Sequence, residues 1–158
     1  MPARVIIALF ALAALAIMIT TARGAPYALE DWNMATRKSL PLGMKIWLGS
    51  MLLTMVSSVF FMRRHIAARW VLAAFVIGHA WIGVAEGFGL FAVKGGMVSL
   101  GHIVIWAPAI YALIANRDQI TLPSPYGVWA CAMLFFYSVS LIFDIRDAAI
   151  WIIALISA

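Results

Sequence analysis

Glu86 is the first residue here that could do chemistry, being the lone acid in the apolar stretch WVLAAFVIGHAWIGVAEGFGLFAV, residues 70–93. An ionised carboxylate at membrane depth costs about 3 kcal/mol or more unless it is paired, neutralised or hydrated. Two of the three histidines also fall in apolar segments, His79 on the same stretch and His102 on the next. His79 precedes Glu86 by seven residues, which puts both on one helical face about 10 Å apart along the axis. A turn at Lys94-Gly95-Gly96 would make the two segments an antiparallel hairpin. Counted from that turn, Glu86 and His102 fall within about 3 Å of equal depth. The spacing therefore predicts a Glu86–His102 pair that could hold a proton or face a cation. His79 lies deeper, and its expected partner is a water, another helix or a backbone carbonyl, such as that of Val104 freed by Pro108.

Further polar residues form stripes. Ser50, Thr54 and Ser57 share a face at i, i+4 and i+7. Tyr137, Ser140, Asp144 and Asp147 fall within a sector of roughly 80°, with Arg146 opposite. One reading is a hydrated lining that ends in an acidic mouth; the other is interhelical hydroxyl bonding with an ordinary polar helix end. Gly83 and Gly87 form a GxxxG around Glu86, which lets two helix backbones approach closely.

No phosphate loop, dinucleotide fingerprint, Ser-His-Asp set or HExxH occurs. A single cysteine, Cys131, excludes an internal disulfide framework and cysteine-based metal clusters. His79 and His102 differ by roughly 13 Å in expected depth, so they cannot clamp one haem within a chain. No metal and no cofactor is predicted.

The elements that must position these groups are membrane helices. Of the 158 residues, 66% are hydrophobic and 11% charged, against roughly a quarter charged in soluble domains. Runs near 20 apolar residues suffice to cross a hydrocarbon layer of about 30 Å. Five occur, over 5–22, 42–62, 70–93, 97–115 and 126–143. The fold expected is all-α, a single integral domain over 1–158 built as a polytopic transmembrane bundle of about five spans, within a range of four to six. The apolar piece 148–158 follows Asp144-Ile-Arg-Asp147 and is too short to span. It lies at the interface, docks on the bundle or continues the fifth helix. The first run also resembles a secretory signal ending at Ala22-Arg23-Gly24, but its apolar core is long for one, and a retained span is expected. Between the first two spans, Leu29, Trp32 and Met34 sit among charges, as in a short interfacial helix.

The formal charge of +5 sits at span ends, which points to anionic lipid headgroups and away from nucleic acid. Arg63, Arg64 and Arg69 form the densest basic loop and contain no acid, so the positive-inside rule sets that loop and the N-terminus in the cytoplasm, in a membrane of the bacterial inner type. The reading ranked first is a homo-oligomeric channel or transporter for a proton, ion or small solute, centred on Glu86 and His102 with His79 in support. On that reading Glu86→Gln abolishes flux in a folded protein. Second comes an accessory subunit of a larger membrane complex. A membrane enzyme or metal site ranks last, because two ligands are fewer than such sites draw from protein.

Overall fold

The structure, a computed structural model, describes residues 27–158. The expected span over 5–22 and the cleavage question at Ala22 lie outside them. All regular structure in the described residues is helical. A 3-10 turn, Tyr27–Leu29, leads to α1, Met34–Ser39. The long helices are α2, Leu42–Val56, prolonged by a 3-10 turn over Ser57–Phe60; α3, Ile66–Gly87; α4, Gly95–Ala115; and α5, Pro125–Ile156. Each of these four is long and apolar enough to cross a membrane, so the chain is an integral membrane protein.

Local sequence explains the boundaries. Asn33 opens α1 by accepting from the amides of Ala35 and Thr36 at 2.9 and 3.1 Å. Ser124 caps α5 through Gly127 N–H at 3.0 Å, and Pro125, which has no N–H to satisfy, takes the first helical position. Gly89, at φ +60°, ends α3, and Leu90 N–H returns to the Ala85 carbonyl at 3.0 Å; this is the wrapped helix end that a left-handed glycine permits.

That helix end moves the expected span. Instead of 70–93, α3 runs over Ile66–Gly87, and residues 88–94 form a connecting loop. Gly95 and Gly96 therefore do not form a tight turn but sit in the first turn of α4. Both must be small: a Cβ on Gly95 would strike the Tyr27 carbonyl, and one on Gly96 would strike the Trp151 ring and, at 2.9 Å, the Asp147 carbonyl.

The second difference is α5. It runs unbroken through Asp144 and Asp147 to Ile156, 32 residues in all, or about 48 Å. The piece 148–158 thus continues the preceding helix, and Asp144 lies well inside it.

α4 packs between α3 and α5, and α2 touches α3 and α5 from the side. The main core lies where they meet, with Met55, Val71, Trp106, Leu113, Trp129, Met133 and Tyr137 among its buried members. The strap formed by residues 27–40 binds the loop before α4 by Trp32 N–H to Val93 O at 2.7 Å and Gly95 N–H to Glu30 O at 3.0 Å. It caps one end of the bundle. Arg63, Arg64, Arg69 and Arg117 mark the other end.

Candidate functional site

Glu86 sits in the last turn of α3, at the strap end of the bundle. Its carboxylate takes both bonds from one Arg37 nitrogen, at 2.8 and 3.1 Å. A second ion pair, Lys94 to Asp31 at 2.7 Å, lies beside it. Together they border an open depression of about 380 Å³ lined by Trp32, Arg37, Glu86 and Phe91 among others. The Glu86 side chain is 32% exposed, so it is a latch on the strap and not the buried acid the sequence suggested.

His102 lies seven residues into α4, about 10 Å deeper than its start. Its partner comes from α5: His102 Nδ1 lies 3.3 Å from Asp144 Oδ1. The expected Glu86–His102 pair is thus replaced by two separate ones, Glu86–Arg37 and His102–Asp144. The physical reason is the loop at 88–94, which ends α3 at Gly87 and leaves Glu86 near the helix end while His102 stays inside. Among the described residues the buried carboxyl of the bundle is Asp144, with its side chain 11% exposed.

The surroundings of this pair are aromatic and sparsely polar. Trp106, one turn along α4, stacks on the His102 ring at 4.1 Å and 12°. Trp106 also meets Tyr137 of α5 at 4.9 Å. Trp81 of α3 presses on Gly101, where a Cβ would come within 3.1 Å of the indole. Absence of a side chain at Gly101 is what lets a tryptophan reach α4 beside His102. Ser140 donates to the Met51 sulfur at 3.5 Å, a weak acceptor. Asp144 Oδ2 and the Tyr137 hydroxyl are buried with no hydrogen-bond partner among the described residues. At 3.3 Å the His102 contact is long for a hydrogen bond, so Asp144 is under-satisfied on both oxygens.

Tyr137, Ser140, Asp144 and Asp147 do share a face, and it turns inward: the first three are buried and the fourth half-buried. Arg146 does not stay apart from them; its Nε donates to Asp147 Oδ1 at 2.9 Å. On α2 the hydroxyls turn back on their own helix, Thr54 to Ser50 O and Ser57 to Thr54 O, both at 2.8 Å. Among the described residues these hydroxyls make no hydrogen bond to the α5 face. His79 is exposed on α3 and hydrogen-bonds the Phe75 carbonyl at 2.8 Å, a backbone carbonyl of its own helix. The crossing expected at Gly83 and Gly87 is not made among the described residues, since a Cβ at either would meet nothing within 4 Å.

Sequence reasoning missed Arg37 as the partner of Glu86 and Asp144 as the partner of His102. The apolar run after Asp147 was the available signal for the second, because it allows α5 to continue and carries Asp144 inward. At the far end, His65 stacks on Tyr126 at 3.5 Å and its Nδ1 meets Gln119 Oε1 at 2.9 Å. Arg69 there binds the carbonyls of Met62 and Arg63, whereas Arg63 and Arg64 are exposed.

No known family, characterised protein or solved structure matches this chain.

Proposed function

We propose that the protein moves protons across its membrane by protonation and deprotonation of Asp144, with His102 as the group that shares the proton. One observation carries this reading. Asp144 lies buried on a helix long and apolar enough to span the membrane, with one oxygen 3.3 Å from His102 Nδ1 and the other unpartnered among the described residues. When Asp144 is ionised, Nδ1–H donates to Oδ1; when it is neutral, the carboxyl O–H donates to an unprotonated Nδ1. The pair therefore serves both charge states, and intramembrane acids of this kind mark proton paths. A hard cation such as Ca²⁺ takes six or more oxygens, and this face offers two carboxylates, one of them already paired with Arg146, a hydroxyl, a phenol and a thioether. The donor set suits a proton.

The test is proton flux into liposomes holding the full chain, followed with an internal pH dye under an imposed gradient. Asp144→Asn should lower flux about 100-fold, the scale on which a positioned proton-transfer group acts. Flux unchanged in a folded Asp144→Asn protein refutes the reading. Arg63 and Arg64, exposed and without acids in their loop, suit anionic headgroups and set that end in the cytoplasm.

A second reading is favoured by α3. Its outer face presents Gly83, Gly87 and the exposed imidazole of His79, which calls for another helix, from a second copy or from a larger complex in which this chain is an accessory subunit. Gentle extraction followed by native mass spectrometry separates the two: a homo-oligomer supports the first partner, foreign subunits the second, and a lone monomer neither.

A further inference from the structure

We infer that Asp144 is reached from the strap end alone, so the protein works as a carrier with a closed barrier and not as an open pore. This rests on the proton reading given above and specifies its mechanism.

The polar groups of α5 form a ladder that starts at the strap end and stops partway through the bundle. Asp147 lies beside Gly96, in the first turn of α4. Asp144 and His102 come next, then Ser140, then Tyr137. Asp147, nearest the strap, is half-buried, whereas Asp144, Ser140 and Tyr137 are all buried, at 7%, 9% and 1% exposure. The ladder thus passes from a half-buried residue at the strap end to a fully buried one at Tyr137, as in a crevice closed at its inner end. The unpartnered Tyr137 hydroxyl is its last rung.

Beyond Tyr137 the same region is sealed by apolar side chains. Met133 and Ala130 of α5, Leu113 and Ala109 of α4 and Val71 of α3 are all fully buried. Tyr126, the next buried hydroxyl along α5, lies eleven residues away, or about 16 Å. Among the described residues the inward face of α5 over that distance is carried by Met133 and Ala130, and a dry apolar layer excludes an ion as firmly as lipid does. Water on the strap side protonates Asp144, and transfer to the other side requires the Trp106–Met133–Tyr137 layer to open. The charged and titratable groups along this path are His102 of α4 and Asp147, Arg146 and Tyr137 of α5; α2 contributes Met51.

The experiment uses the full chain in liposomes, in a Cys131→Ala background whose flux matches the native protein. Single cysteines are placed at Ser140 and Met133, with Lys94→Cys and Arg64→Cys as markers of the two surfaces. A charged, membrane-impermeant thiosulfonate is added to one side at a time. Ser140→Cys should react only from the side that modifies Lys94→Cys, and Met133→Cys from neither. Reaction at Met133→Cys overturns the inference. So does reaction of Ser140→Cys from the Arg64 side, or from no side. Flux through Asp144→Asn is measured in the same liposomes. One-sided labelling with unchanged flux retires the proton reading but leaves the crevice; lost flux with two-sided labelling retires the barrier alone.

Discussion

Where α2 meets α3, Arg63, Arg64 and Arg69, joined by Arg117 from the next loop, face a single acid, Asp118. At the strap end five cations among the described residues (Arg37, Lys38, Lys45, Lys94 and Arg146) are matched by five acids, Glu30, Asp31, Glu86, Asp144 and Asp147. The salt bridges of the described residues all lie at this second end or just inside it. Unmatched charge of one sign is satisfied from outside the protein, by headgroups and counterions. Matched charge is spent within it, on holding the strap and on placing one acid inside the bundle. On the reading proposed above, the first kind would orient the chain and the second would do its chemistry.

The sharpest way to break this comparison is a double-mutant cycle on the inner pair. His102→Phe and Asp144→Asn should each lower proton flux about 100-fold, and the double variant should be no worse than either, because one shared proton is lost in all three. Fully additive losses would show that the two groups act separately, and the pair would no longer be the centre. Swapping Arg64→Gln at the far end should leave flux unchanged in the same assay.

Next in size is the lipid preference of the far end. A basic residue near an anionic surface contributes about 1 kcal/mol. Arg63→Gln with Arg64→Gln should therefore lower the anionic lipid that co-purifies with the protein by about ten-fold or more, seen by native mass spectrometry. Lys38→Gln with Lys45→Gln should change it little, since Lys45 already bonds the Lys38 carbonyl at 2.7 Å and acids lie close by. Equal losses at the two ends would erase the distinction between them.

Much of this was legible in the sequence. Apolar runs located all four described spans, and the period of Tyr137, Ser140, Asp144 and Asp147 marked an inward face of α5. Pairing was harder to read, because depth was counted from a turn placed at Gly95. The helix end is set by Gly89, and seven residues of loop shift Glu86 outward relative to His102. Nor does periodicity say which neighbouring helix supplies a partner: Arg37 reaches Glu86 across 49 residues and Asp144 meets His102 across 42. Such contacts depend on how helices are arranged, which no single helix encodes. The glycines show the same limit, since Gly83 and Gly87 match a packing motif and open onto free space, while Gly96 and Gly101 match none and carry the close approaches.

That contrast gives a third prediction. Gly96→Ala forces a methyl into Trp151 and the Asp147 carbonyl, an overpacking worth about 1–3 kcal/mol of stability. Gly83→Ala meets nothing within the chain and should stabilise α3 by about 0.5–1 kcal/mol through helix propensity. Thermal unfolding in detergent distinguishes the two. If Gly83→Ala destabilises the protein extracted with its partners but not the isolated chain, the outer face of α3 is an interface.

The smallest effect belongs to the latch. One Arg37 nitrogen bridges both Glu86 oxygens, yet both side chains are about one-third exposed. Pairs so open to solvent contribute about 0.2–1 kcal/mol and weaken with salt. A cycle of Arg37→Ala and Glu86→Ala should return a coupling in that range by thermal unfolding, smaller still at high ionic strength. Glu86→Gln should leave proton flux near the native level, because the acid sits at the end of α3 and the proton rests on Asp144. A collapse of flux in Glu86→Gln, with Asp144→Asn unaffected, would reverse the assignment and move the chemistry out to the strap. Loss in both variants would mean that the strap must stay closed for the inner pair to work, which limited proteolysis at residues 27–40 would then detect as faster cleavage in Glu86→Gln.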